Sequence, residues 1–137
     1  MSFPQEVPRS KFTFNRKKEW GQLYWFDFGQ AATGQRTFGP HPALIVSDPQ
    51  ITLPGTVLIM SVKGAEHKRS GYEFHVDISK AECRELDKDS VAEVDQIYCV
   101  EGRLMPDQYF IGRVPRSVMK RIYSKLLKAL GFSKAMG

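Results

Sequence analysis

The sequence predicts a mainly β fold: a small, strongly bent barrel with one α-helix appended at its C-terminal end. Three observations carry this. Short β-rich runs recur from Trp20 to Val100, broken by Gly and Pro. One long stretch near the end has helical rather than strand periodicity. The chain has 137 residues, enough for one domain and one core.

The elements follow in order. Residues 1–18 hold Pro4 and Pro8 without sustained periodicity and read as a basic, partly flexible arm that can order near Lys11–Phe14. Trp20–Phe28 is rich in aromatics, as a barrel strand would be. Gly29–Pro40 carries three glycines and is longer than a hairpin turn, and long loops in compact domains tend to be functional. Ala43–Val46 is a short apolar run suited to a buried strand. Leu53-Pro54-Gly55 punctuates the next connection, and Thr56–Val62 is again β-rich. Gly64–Tyr72 is a charged loop. In Glu73–Ile78, Phe74, Val76 and Ile78 face one way and Glu73, His75 and Asp77 the other, which makes His75 an ordinary polar-face residue.

Ser79, with Glu82 three residues on, has the pattern of a capping box and predicts a short helical turn over Ser79–Leu86. Ser90–Val100 reads as one or two strands. Val118, Ile122, Leu126 and Leu130 recur every four residues, widened by Met119, Tyr123 and Leu127, so a helix over about 115–130 should lay this stripe on the sheet. Pro115 suits its first turn and Gly131 the position after its C-cap. The domain is expected to span 19–132, followed by a tail at 133–137.

Composition excludes several classes. Nine Phe, five Tyr and two Trp argue against a disordered chain. No apolar run approaches the ~20 residues of a membrane span, and the N-terminus lacks a signal-peptide core, so a cytoplasmic protein with no membrane partner is expected. Cys83 and Cys99 lack metal-ligand spacing and read as two reduced, buried thiols. No metal and no cofactor is expected. Charge is uneven: residues 1–18 carry a net +4, residues 113–137 a net +7 with no acid, and the segment between them a net −6. Basic ends around an acidic centre suit a polyanion such as RNA.

Four segments, in order, resemble the MazF/PemK family of toxin–antitoxin endoribonucleases. They are Trp-Gly-Gln-Leu-Tyr-Trp-Phe-Asp-Phe (20–28), Pro-Ala-Leu-Ile-Val-Ser (42–47), Ser-Val-Ala-Glu-Val-Asp-Gln-Ile (90–97) and Ile-Gly-Arg-Val-Pro (111–115), the last resembling the family's turn before its final helix. The resemblance spans roughly Lys18 to Phe132. It implies the SH3-like β-barrel shared by MazF/PemK toxins and the gyrase-poisoning CcdB toxins. It also implies a homodimer, an antitoxin partner, and RNA cleavage without a metal by attack of a ribose 2′-OH on its own phosphate.

The sequence departs from the family at the usual catalytic positions. The family's arginine before the second strand falls on His41, and its Thr or Ser after the third strand falls on Lys63. The proline two residues before that falls on Ser61, and a late-strand Arg/Asp pair falls on Glu93 and Asp95. The replacements can still do chemistry. His41 can take or give a proton near neutral pH. Lys63 offers a cation to a phosphorane, though without the fork of an arginine. Ser61 keeps a hydroxyl, and Asp95 could orient the histidine or serve as second acid/base.

The resemblance thus makes His41, Lys63, Asp95, Glu93 and Ser61 the candidate catalytic set. Gln35, Arg36 and Thr37 of the loop and Lys120, Arg121 and Lys125 of the helix are the candidate RNA contacts. The aromatic cluster Trp20, Tyr24, Trp25, Phe26 and Phe28 reads as core or dimer interface rather than a base-stacking platform. Two other functions fit the same scaffold. One is a divergent member that binds nucleic acid or a protein without cutting. The other is a CcdB-like topoisomerase poison, whose aromatic C-terminal residues find only Phe132 here, followed by Ser-Lys-Ala-Met-Gly.

Overall fold

The computed structural model describes residues 16–30, 37–51 and 55–137. The arm up to residue 15, the loop residues Gln35 and Arg36, and Leu53-Pro54 lie outside the described residues. Among the described residues, six strands form one antiparallel sheet: β1 (Gln22–Asp27), β2 (Pro40–Ile45), β3 (Thr56–Gly64), β4 (His75–Ile78), β5 (Ser90–Glu101) and β6 (Phe110–Arg113). Their spatial order is β4-β5-β3-β2-β1-β6, so the sheet curls into an open barrel with β4 and β6 at its edges. Helix α1 (Arg116–Ala129) follows β6 directly, and a one-turn helix α2 (Phe132–Met136) follows α1.

The central strands are apolar on both faces because both faces are covered. Leu23, Leu44, Met60 and Val62 join Val118, Met119, Ile122 and Leu126 of α1 in one core. Their neighbours Tyr24, Ala43, Ile45 and Ile59 point the other way, into a second core with Phe28, Met105 and Tyr109. The period-two alternation of side chains sorts each strand between the two cores. Burial pushes the Tyr24 hydroxyl up to about 12. Trp20 stacks on Tyr123 at 5.9 Å between ring centroids and donates its indole N–H to the Tyr123 hydroxyl at 2.9 Å. The Tyr123 hydroxyl in turn donates to the Val46 carbonyl, which fastens α1 to β1 and β2.

Several expectations change. The segment 110–113 is an edge strand pairing with β1, not part of a turn. Strand β2 begins at Pro40, so His41 lies in a strand rather than in the loop. Leu130 is 68% exposed and Leu127 42% exposed, so the buried stripe of α1 ends at Leu126. For Leu130 the reason is that α1 stops one residue short of it, and Gly131 takes φ +80° and turns the chain into α2. Cys83 is buried, and burial pushes its thiol up to about 11, but Cys99 is exposed because it sits on the outward face of β5.

Ser79–Leu86 forms turns rather than a helix, yet the capping box itself is present. The Glu82 N–H donates to Ser79 Oγ at 3.1 Å and the Ser79 N–H donates to Glu82 Oε1 at 3.1 Å. Glu82 also accepts a two-pronged bond from Arg121 at 2.9 and 3.0 Å. These contacts hold its carboxyl at about 2, the Arg121 bond first among them. A depressed carboxyl contributes stability above its unfolded value near 4.3 and loses it as pH falls through the folded value. Both partners are partly exposed, so the contribution is at most about 1 kcal/mol. Arg121→Ala is expected to lower the melting temperature at pH 7, with the gap to the wild type narrowing between about pH 4 and pH 2. A gap that is constant with pH would mean the pair contributes nothing electrostatic.

Candidate active site

The site is built where the ladders break. Strands β2 and β3 pair with Ala43 opposite Ser61, and extending that register sets His41 opposite Lys63. Pro40 and Pro42 have no N–H to offer β3, so the β2–β3 pairing stops at Ala43. The strands part there, and His41 and Lys63 line the resulting cleft of about 410 Å³. Gly64 and His67, which follow β3, line it too, with Lys88 and Ser90 from the far side.

The second break is in β5. Met60 pairs with Ile97 and Val62 with Ala92, so residues 93–96 form a bulge opposite Ser61 alone. The bulge turns Glu93 inward. Its Oε1 accepts from the Ser61 hydroxyl at 2.7 Å and the Thr37 hydroxyl at 2.9 Å, and those two hydroxyls are 3.0 Å apart. Its Oε2 lies 3.5 Å from Lys63 Nζ and 3.9 Å from His75 Nε2. A carboxylate this deeply buried needs such partners. Gln96, at the end of the bulge, accepts the Thr37 N–H at 3.3 Å and so ties the loop to the same point.

The two histidines beside this cluster differ in what they can do. Burial, then the positive charge of Lys63, hold His41 below the usual histidine value, so its ring is neutral at pH 7. Its hydrogen bond to the Phe38 backbone works the other way but occupies one ring nitrogen, leaving the second with a free lone pair. His75 is also held low by burial. Its Nδ1 accepts the Arg69 N–H at 3.3 Å, which fixes the proton on Nε2, facing Glu93.

Of the expected catalytic set, His41 and Lys63 share the cleft, while Glu93 and Ser61 lie beneath Lys63. Asp95 is exposed and accepts from the Tyr72 hydroxyl, on the His75 side of the cluster. Thr37 is fully buried and serves Glu93, so it offers nothing to an RNA at the surface. Arg121 is engaged by Glu82 and by the Asp77 carbonyl, and Lys125 lies 3.6 Å from Glu73. Lys120 is exposed on α1. The reading of His75 as ordinary missed its partner: His75 pairs with Glu93 across β4 and β5, and only the register shows it. His67 and Lys88 were missed as well, since charged-loop composition alone does not reveal which cleft a loop borders. Among the described residues, no group of three His, Cys, Asp or Glu side chains could hold a metal ion.

The family model for the PemK-like, MazF-like toxin of type II toxin–antitoxin systems matches residues 19–130. The chain belongs to this family. Its fold is that of solved MazF-like toxins. MazF from Deinococcus radiodurans is 23% identical with a TM-score of 0.64, over 83% of this chain and 96% of the other. A mycobacterial endoribonuclease, solved in complex with its cognate antitoxin, is 24% identical with a TM-score of 0.63, over 84% of this chain and 96% of the other. The Mycobacterium tuberculosis toxin MazF-mt6 keeps a TM-score of 0.61 at 14% identity, over 80% of this chain and 96% of its own. No curated protein matches the sequence. Among the described residues, no helix of this PemK/MazF-like chain is long and apolar enough to cross a membrane.

Proposed function

We propose that this PemK/MazF-like chain is a cytoplasmic endoribonuclease toxin that cuts RNA by attack of a 2′-OH on the adjacent phosphorus, without a metal ion. The observation that carries the reading is the pair His41 and Lys63 facing one cleft, one a neutral base and the other a cation. His41 takes the 2′-OH proton through its free ring nitrogen. Lys63 Nζ holds the non-bridging oxygens of the phosphorane, where negative charge builds up. Glu93 is a positioning residue: Ser61 and Thr37 fix its carboxylate, and the carboxylate fixes Lys63. The products are a 2′,3′-cyclic phosphate and a 5′-hydroxyl.

Family membership supports an antitoxin as partner and a homodimer as the working form. The mycobacterial relative solved with its cognate antitoxin makes a complex of the same kind reasonable for this chain. The expected contacts to RNA beyond the cleft are phosphate contacts from the basic ends of the chain, including Lys120, Arg121 and Lys125. Such contacts make affinity fall steeply with salt. Replacing these three with Ala is expected to weaken binding to all sequences alike and to flatten the slope of log affinity against log salt. An unchanged slope would assign the helix face to solvent and to its own ion pairs. The catalytic reading is tested by incubating RNA with the purified chain in EDTA and identifying the new ends. Tight binding with no new ends would favour a nucleic-acid-binding member that has lost cleavage.

A further inference from the structure

We propose that His67 is the general acid of this cleft, the group that protonates the departing 5′-oxygen. The inference rests on the reading that RNA is cut here by 2′-OH attack. That reaction moves two protons: one leaves O2′ as the O2′–P bond forms, and one reaches O5′ as the P–O5′ bond breaks. His41 accounts for the first only.

An acid for the second step must hold a proton near neutral pH and be able to release it. Lys63 is committed to the phosphate oxygens, and ordinary lysines are too basic to give up a proton readily. Asp95 faces Tyr72 and lies outside the residues lining the cleft. His75 is also outside the lining, and Arg69 fixes it as a neutral tautomer against Glu93. His67 lines the same cleft as His41 and Lys63.

The local chain sets His67 beside a carboxylate. The 3₁₀ turn Ala65–His67 follows β3 directly and sets His67 four residues after Lys63. His67 Nε2 lies 3.7 Å from Glu66 Oε1. Lys88 donates to that same oxygen at 2.6 Å and holds the Glu66 carboxyl below its usual range, so it is ionised. Gly64 leaves the room this requires, because a Cβ there would run into the Glu66 carboxylate. The two histidines of the cleft thus sit in different environments: His41 is half-buried beside Lys63, and His67 is exposed beside Glu66. As the phosphorane collapses, the His67 imidazolium gives its proton to O5′ and becomes neutral, while His41 has become an imidazolium. Exchange with solvent restores both.

The test uses two RNAs of one sequence, chosen from a site that the wild type cuts. One is all-oxygen, and the other has sulfur in place of the bridging O5′ at that site. A 5′-thiolate leaves without protonation, so it needs no acid. His67→Ala is expected to slow the oxygen substrate by about 10²–10⁴-fold and to cut the sulfur substrate within about tenfold of wild type. His41→Ala is expected to slow both. Equal slowing of both substrates by His67→Ala, or of neither, would overturn the assignment of His67 while leaving the base assignment standing. If the wild type cuts RNA but His41→Ala is fully active, the base reading fails and the His67 result is judged on its own substrate contrast. If the wild type cuts no RNA from which such a site can be chosen, the transesterification reading fails and this inference with it.

Discussion

His41→Ala is expected to cut the cleavage rate by about 10²–10⁴-fold while RNA binding changes little, the range for loss of one general base. The variant removes the neutral imidazole that lines the cleft beside Lys63. The pH–rate profile of the wild type checks the same point. His41 works as a base only when neutral, so the rate should rise with pH through its titration, and loss of the proton from the general acid should bring it down again on the alkaline side. Its value is held below the usual 6.5, first by burial and then by Lys63. The acid limb should therefore lie below pH 6.5. Full activity in His41→Ala would remove this residue from the mechanism. His41→Arg restores the residue the family usually carries at this position and should place a permanent cation there while abolishing the acid limb.

Lys63→Ala should have the second-largest effect, about 10²–10³-fold on cleavage, the range for one donor to a developing oxyanion. It should also move the acid limb upward, because the charge that depresses His41 is gone. Lys63→Arg should recover part of the rate and return the limb toward its wild-type position. Ser61 and Thr37 still satisfy Glu93 in either variant, so the fold should hold. A rate loss with no movement of the limb would place Lys63 too far from His41 for direct electrostatic contact.

Much of the fold was legible because local and global signals agree. The Ser79/Glu82 box forms both of its bonds, and the stripe of α1 buries Val118, Met119, Ile122 and Leu126. Gly131 takes the left-handed conformation expected after a C-cap. Strand β6 was hidden because Phe110–Arg113 is four residues long and its partner, β1, lies almost ninety residues away in sequence. Leu127 and Leu130 kept the helical period but ran past the sheet that covers their neighbours.

The site was legible in part. His41 and Lys63 were found through the family's positions, and the broken β2–β3 ladder brings them together. The role of Glu93 depends on a bulge that no periodicity announces, and that bulge also separates it from Asp95. His75 was read from its strand face alone, whereas its chemistry comes from the strand across from it. The basic face of α1 looked free in sequence because its acidic partners, Glu73 and Glu82, lie far upstream of the residues they hold, the nearer of them 39 positions before Arg121.

The most direct measurement is the chemistry of the cut ends. RNA incubated with the wild-type chain in EDTA should yield fragments ending in 2′,3′-cyclic phosphate and beginning with 5′-hydroxyl, and these should be absent with His41→Ala. Fragments bearing 5′-phosphate, or no cleavage until a divalent metal is added, would contradict the mechanism built on His41 and Lys63.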